Sequence, residues 1–154
     1  MKATHTPADS AVQSTYLVLP SDINALGTAF GGRILQWMDI AAGISAWRHC
    51  GRPAVTVAVD QIHFARPIHV GDVVVIHAQV NHTGKTSLEV GVRVEREQAA
   101  PRSRQHCLSG YFLFVAVDKT GRPVPVPPLV PQTEEEKRRF AEAAARRKMR
   151  QKHT

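Results

Sequence analysis

Residues 32–49 read as a helix that is apolar on nearly every side, in a chain whose remaining body reads as β-strand. Ile34, Trp37, Met38, Ala41, Ile44, Ser45 and Trp47 cover most of its circumference, and Asp39 is its only charged side chain between Arg33 and Arg48. A helix apolar nearly all round is normally buried inside something. With strands before and after it, a long sheet wrapped round one central helix satisfies the pattern, an α+β design. Gly51 and Pro53 supply its stop.

The strands follow from alternation and turn residues. Residues 11–19 form the first, ended by Pro20, and residues 54–64 the second, ending before Pro67. Residues 72–82 follow the Gly71-Asp72 turn, and Thr83-Gly84-Lys85 connects them tightly to residues 86–95, where Leu88, Val90, Val92 and Val94 share one face. A last strand spans about 104–117 and turns at Asp118-Lys119-Thr120-Gly121. The prolines of residues 123–131 exclude a central strand, because proline donates no ladder bond, so this segment reads as an extended arm over the surface. From Thr133 a polar helix begins, with Thr133 as N-cap and Glu136 completing a capping box. The expected division is a flexible N-terminus (1–10), one domain with its arm (11–132) and a basic C-terminal helix (133–154).

Length and composition narrow the function classes. A chain of 154 residues suits one domain with a real core. No apolar stretch approaches the roughly 18 residues of a membrane span, and residues 1–10 lack the apolar run of a secretory signal, so the expected compartment is the cytoplasm, away from membranes. Cys50 and Cys107 each follow a histidine, His49 and His106, but they lack the short ligand spacing of zinc sites, and no metal is expected. Of the net charge of +7, residues 133–154 carry +4 (eight Lys/Arg against four Glu) and the body +3 (twelve against nine). The interleaved Glu134-Glu135-Glu136 argues for an ordinary solvated helix more than a nucleic-acid surface. The mildly basic body suits a phosphate-bearing small molecule.

The chemistry concentrates at the entrance to the apolar helix. The loop Asn24-Ala25-Leu26-Gly27-Thr28-Ala29-Phe30 ends in Gly31-Gly32. Such glycines allow a ligand close to the backbone N–H groups, and the helix start favours negative charge. Asp39 further along is a candidate base or nucleophile, with small neighbours at Ala42 and Gly43 that leave room for an approaching group. Asn24, as a favoured turn residue, has an ordinary local explanation as well. Thr83-Gly84-Lys85-Thr86-Ser87 lacks the spacing of a phosphate-binding P-loop and reads first as a hairpin turn. No G-x-S-x-G elbow is present, and His106 and Cys107 point to opposite faces of a strand, so serine or cysteine catalysis is not expected.

Taken in order, Pro20, Asn24, Gly27, Phe30-Gly31-Gly32, Trp37-Met38-Asp39, Arg48-His49-Cys50, Val55-Thr56-Val57-Ala58-Val59-Asp60, Phe64, Pro67-Ile68, Val70-Gly71-Asp72, Gly84-Lys85-Thr86-Ser87, Phe114-Val115-Ala116-Val117-Asp118, Pro125-Val126-Pro127 and Glu134-Glu135-Glu136-Lys137-Arg138 resemble the hotdog-fold acyl-CoA thioesterases. The match covers about residues 12 to 150 and is closest to the group of bacterial broad-range and brain-type acyl-CoA hydrolases. The resemblance implies an antiparallel five-stranded sheet around the long helix, with an extra C-terminal helix. It implies hydrolysis of acyl-CoA to a free acid and CoA without metal or cofactor. Asp39 would be the catalytic carboxylate, with Asn24 contributed from a neighbouring subunit. The expected partners are the acyl-CoA substrate and further copies of the chain, with a dimer as the minimal active unit and a hexamer built as a trimer of dimers.

On that footing Gly31 and Gly32 are candidate donors to the thioester oxygen. Gly84, Lys85, Thr86, Ser87, Arg48 and Arg66 are candidate CoA contacts. Two rival readings remain: a hotdog hydratase, which would need a histidine near Asp39 that the helix does not offer, and a module that binds acyl-CoA or nucleic acid without turnover.

Overall fold

The computed structural model describes residues 5–153. Helix α1 (Pro7–Ser10) leads to strand β1 (Val12–Leu17), a short 3-10 turn (Pro20–Asp22) and the long helix α2 (Gly31–Cys50). Four strands follow, β2 (Ala54–Phe64), β3 (Val73–Thr83), β4 (Ser87–Ala99) and β5 (Arg102–Ala116), and then helix α3 (Glu134–Lys152). The strands form one antiparallel sheet in the order β1-β3-β4-β5-β2. This is the expected α+β hotdog arrangement.

Helix α2 lies on one face of the sheet with Ile34, Trp37, Met38, Ala41, Ala42 and Ala46 buried against Val74, Ile76, Leu88, Val90, Phe112 and Phe114. Gly51 ends it in the left-handed region (φ 69°), donating to Trp47 O at 2.8 Å, a helix ending that favours glycine. Burial is one-sided, however. Ile40, Ile44 and Trp47 remain exposed, Trp47 at 58%, because a single sheet can cover only one side of a cylinder.

Three expectations change. Residues 5–10 are not a loose tail: Pro7–Ser10 is helical, Ser10 is buried, and its Oγ accepts from Val80 N–H at 3.0 Å. Residues 1–4, the rest of that expected flexible segment, lie outside the described residues. The proline-rich arm is extended, but it does not merely cross the surface. Val126 and Leu129 insert into the core, and the arm is tied by Val126 N–H to Lys85 O and by Leu129 N–H to Thr83 Oγ1. His49, buried at the end of α2, holds the same arm through Nε2 to Pro127 O at 2.7 Å. A carbonyl only accepts, so Nε2 carries the proton, and burial keeps the His49 pKa below its usual value.

Helix α3 begins as expected, with Thr133 and Glu136 forming reciprocal cap bonds, but it is not simply solvated. Its arginines reach inward to acids on the sheet's other face. Arg146 makes two bonds to the buried Glu89 (2.7 and 3.0 Å) and stacks over Tyr111, while Arg150 bonds Asp60 at 2.8 Å. A buried carboxylate that loses its principal partner is costly. Arg146→Ala is therefore expected to lower stability by about 3 kcal/mol, measured by urea denaturation. A loss below about 0.5 kcal/mol, the range of an ordinary surface substitution, would contradict this reading of the cluster.

Candidate active site

Asp39 lies on the part of α2 that faces away from the protomer's own core, and its carboxylate is exposed. Thr56 of β2 donates from Oγ1 to Asp39 Oδ1 at 2.7 Å. That bond fixes the carboxylate's orientation and leaves Oδ2 open. Thr56 was not among the expected site residues. Its place follows from a bulge: Thr56 pairs with Phe114 and Ala58 with Leu113, so Val57 is an extra residue. Bulges of this kind re-aim side chains beside active sites.

Asn24 is largely committed to its own loop. Oδ1 accepts from Leu26 N–H (2.9 Å) and Thr28 N–H (3.3 Å), and Nδ2 donates to Thr28 Oγ1 (2.8 Å). One Nδ2 hydrogen is left, so Asn24 can act on a ligand as a donor only. At the helix entrance, no group among the described residues accepts from the N–H of Gly31 or Gly32. These are the unpaired donors of a helix's first turn. A Cβ at Gly32 would stand 2.8 Å from the Phe30 ring, so this bend also requires glycine unless the ring moves.

The protomer does not bring these groups together. Gly32 and Asp39 are seven residues apart on one helix, about 10 Å of rise. Among the described residues no hydrogen bond links Asn24, Gly31 or Gly32 to Asp39 or Thr56. The groups fall into two clusters, each a candidate half-site. One holds Asn24, Gly31 and Gly32 beside Phe64, since a Cβ at Gly31 would stand 3.6 Å from that ring and the Asn24 loop bonds to Ile68 and pairs with His69. The other holds Asp39 and Thr56, near the opposite end of β2.

The candidate CoA contacts divide similarly. Gly84, Lys85, Thr86 and Ser87 form the β3–β4 turn, at the Thr56 end of the sheet: Ser87 pairs with Val115, which pairs with Val55. Arg147 of α3, absent from the sequence expectations, stands against this turn. A Cβ at Gly84 would lie 3.1 Å from its Nη2. Ser87, Arg146, Arg147 and Arg150 line a groove of about 980 Å³ between α3 and strands β2 and β5. Arg66 lies at the other end, donating to His106 O, and Arg48 donates to Ala11 O, so neither reaches the turn within one protomer.

The cysteines are poor nucleophiles. Burial pushes the Cys50 thiol up to about 11 and also raises that of Cys107. Among the described residues no three His, Cys, Asp or Glu side chains gather as a metal site, and no helix is long and apolar enough to cross a membrane.

Residues 26–101 match the Thioesterase superfamily. The chain is 41% identical over 128 residues to an uncharacterized acyl-CoA thioester hydrolase of Bacillus subtilis, covering 83% of this chain and 74% of that protein. It belongs to the acyl-CoA hydrolase family. An apo-hexameric acyl-CoA thioesterase of known structure superimposes with a TM-score of 0.93 at 39% identity, covering 99% of this chain and 97% of that one. The acyl-CoA hydrolase of Staphylococcus aureus, solved with butyryl coenzyme A and coenzyme A, gives a TM-score of 0.92 at 30% identity, covering 97% and 92%. Alanine variants of that hydrolase have been solved at one asparagine, one aspartate and one threonine. They are spaced 15 and then 17 residues apart, the spacing of Asn24, Asp39 and Thr56 here.

Proposed function

We propose that this acyl-CoA hydrolase cleaves the thioester of fatty acyl-CoA at a site shared between two protomers. In this reading Asp39 and Thr56 come from one protomer, and Asn24, Gly31 and Gly32 from the other. The observation that carries it is the position of the two half-sites at opposite ends of β2, a sheet edge with exposed Val55, Val57, Val59 and Phe64. An apolar, unpaired edge is a template for another strand. Antiparallel pairing of two β2 strands brings the Phe64 end of one against the Thr56 end of the other. Each half-site then meets its complement, the exposed face of α2 gains cover, and Arg66 approaches the partner's β3–β4 turn.

Asp39 takes a proton from water through Oδ2 while Thr56 holds Oδ1. The water oxygen attacks the thioester carbon, and the developing oxyanion accepts from the Gly31 and Gly32 N–H groups and the helix's positive end. Asn24 donates its free Nδ2 hydrogen to the carbonyl oxygen or the attacking water. Collapse of the intermediate breaks the C–S bond, and the proton held on Asp39 passes to the leaving sulfur to give CoA thiol and free acid. The protein groups suffice for each step, with no metal or cofactor. Lys85, Ser87 and Arg147 are suited to the CoA phosphates and pantetheine. The hexameric state of the similar solved thioesterase supports a trimer of such dimers, and two free cysteines suit the reducing cytoplasm.

The test has two arms. Free-thiol release from a panel of acyl-CoAs is expected with the purified protein, and binding without release would instead support the binding module. Asn24→Ala and Asp39→Ala, each nearly inactive alone, are expected to recover activity when co-expressed with different tags and purified through both. In hexamers that carry both tags, random pairing gives about one mixed dimer in two, with one intact site of two in each, or about a quarter of the wild-type rate; doubly tagged dimers would give about a half. No recovery would refute the shared site.

A further inference from the structure

We infer that Asp22 and Arg33 form the pair that positions the loop half-site, and so act on the partner's Asp39 and not on Asp39 of their own helix. The inference rests on the shared site proposed above.

Asp22 touches both roots of the Asn24 loop. Its Oδ2 accepts from Leu19 N–H at 2.9 Å, where the chain enters, and its backbone carbonyl accepts from Phe30 N–H at 2.8 Å, where the chain leaves. Its Oδ1 meets Arg33 Nε at 3.2 Å. Arg33 is bound on the other side as well: its backbone N–H donates to Phe30 O at 2.9 Å, and Nη1 donates to Gln36 Oε1 at 3.1 Å. The pair therefore brackets Gly31 and Gly32, joining the residue before them to the residue after them.

The bracket answers a conflict in the site. Glycines free the N–H groups for an oxyanion, but they also weaken a first helical turn that has no side-chain cap. Rigidity has to come from outside the glycines. Asp22 is 8% exposed, so solvent screens this pair less than an open surface pair. The groups it frames are Asn24 and the two glycine N–H donors, all on the half-site that lacks Asp39. Asp39 is itself held separately, by Thr56.

Arg33→Gln and Asp22→Asn test the pair. Each is expected to lower kcat by about 10- to 100-fold, the effect of a misplacement of about 1 Å at a reacting centre, with KM for acyl-CoA nearly unchanged. Arg33→Lys is expected to restore part of kcat. A rise in KM alone would make Arg33 a CoA contact instead and overturn the inference, as would wild-type kcat in both variants. The decisive measurement is co-expression of Arg33→Gln, or of Asp22→Asn if the first folds poorly, with Asp39→Ala. Recovery to the level of the Asn24→Ala and Asp39→Ala mixture is expected, because one site then combines an intact loop half with an intact Asp39. If that control recovers and the Arg33→Gln mixture does not, the pair acts within its own protomer and the inference fails alone. If the control also fails, the shared site and the inference fall together.

Discussion

Asp39→Asn is expected to lower kcat for acyl-CoA hydrolysis by about 10³-fold, within the range for loss of a general base, or about 4 kcal/mol of transition-state stabilisation. The amide oxygen can still accept from Thr56, so geometry is kept and only the proton acceptor is lost. Asp39 is exposed on the protomer and outside its core, so folding and assembly are expected to be unchanged by circular dichroism and sedimentation. Thr56→Val should give a smaller loss, about 10-fold, because the carboxylate keeps its charge and loses one hydrogen bond that fixes its orientation. A folded Asp39→Asn protein with wild-type turnover would remove Asp39 from the mechanism.

The other large effect is expected from the sheet edge. Val57→Lys puts a charge at an exposed apolar position of β2. Lysine on an edge strand is a device natural proteins use against strand pairing, and it would face the arginine-lined groove beside α3. Sedimentation should show protomers, with activity below about 1% of wild type because neither half-site is complete without the other. The circular dichroism spectrum should persist, since Val57 lies outside the buried core. An active protomer would show that one chain carries a whole site, and would end the shared-site reading.

Much of the architecture was legible because its signals are local. The apolar run of α2, the Gly51 stop, the strand alternation and the Thr133–Glu136 cap each depend on neighbouring residues. Asp39 stands out as a candidate for the same reason, as the one carboxylate in an apolar helix. The signals that were missed depend on distant partners. Alternation through Val55-Thr56-Val57 gives no sign of a bulge at Val57, so Thr56 could be seen only as a strand residue. The run of basic residues in α3 resembled a solvated face because Glu89 and Asp60, which draw Arg146 and Arg150 inward, are 57 and 90 residues away. Asn24 gave no clear sign either, because its amide serves its own turn as fully as any structural asparagine would. Only the family resemblance marks it as a candidate.

The extra residue at Val57 has a further effect on how this strand can vary. Before it, Thr56 faces α2; after it, Asp60 pairs with Tyr111 and reaches Arg150 of α3 on the opposite face. Deleting one residue between them would turn one half of the strand over, and either the threonine would leave the aspartate or the acid would leave the arginine. A substitution in this stretch changes one side chain and leaves the others in phase, whereas a change in its length turns over every residue on one side of it. The bulge works as a fixed count that keeps the face that meets Asp39 and the face that docks α3 in phase.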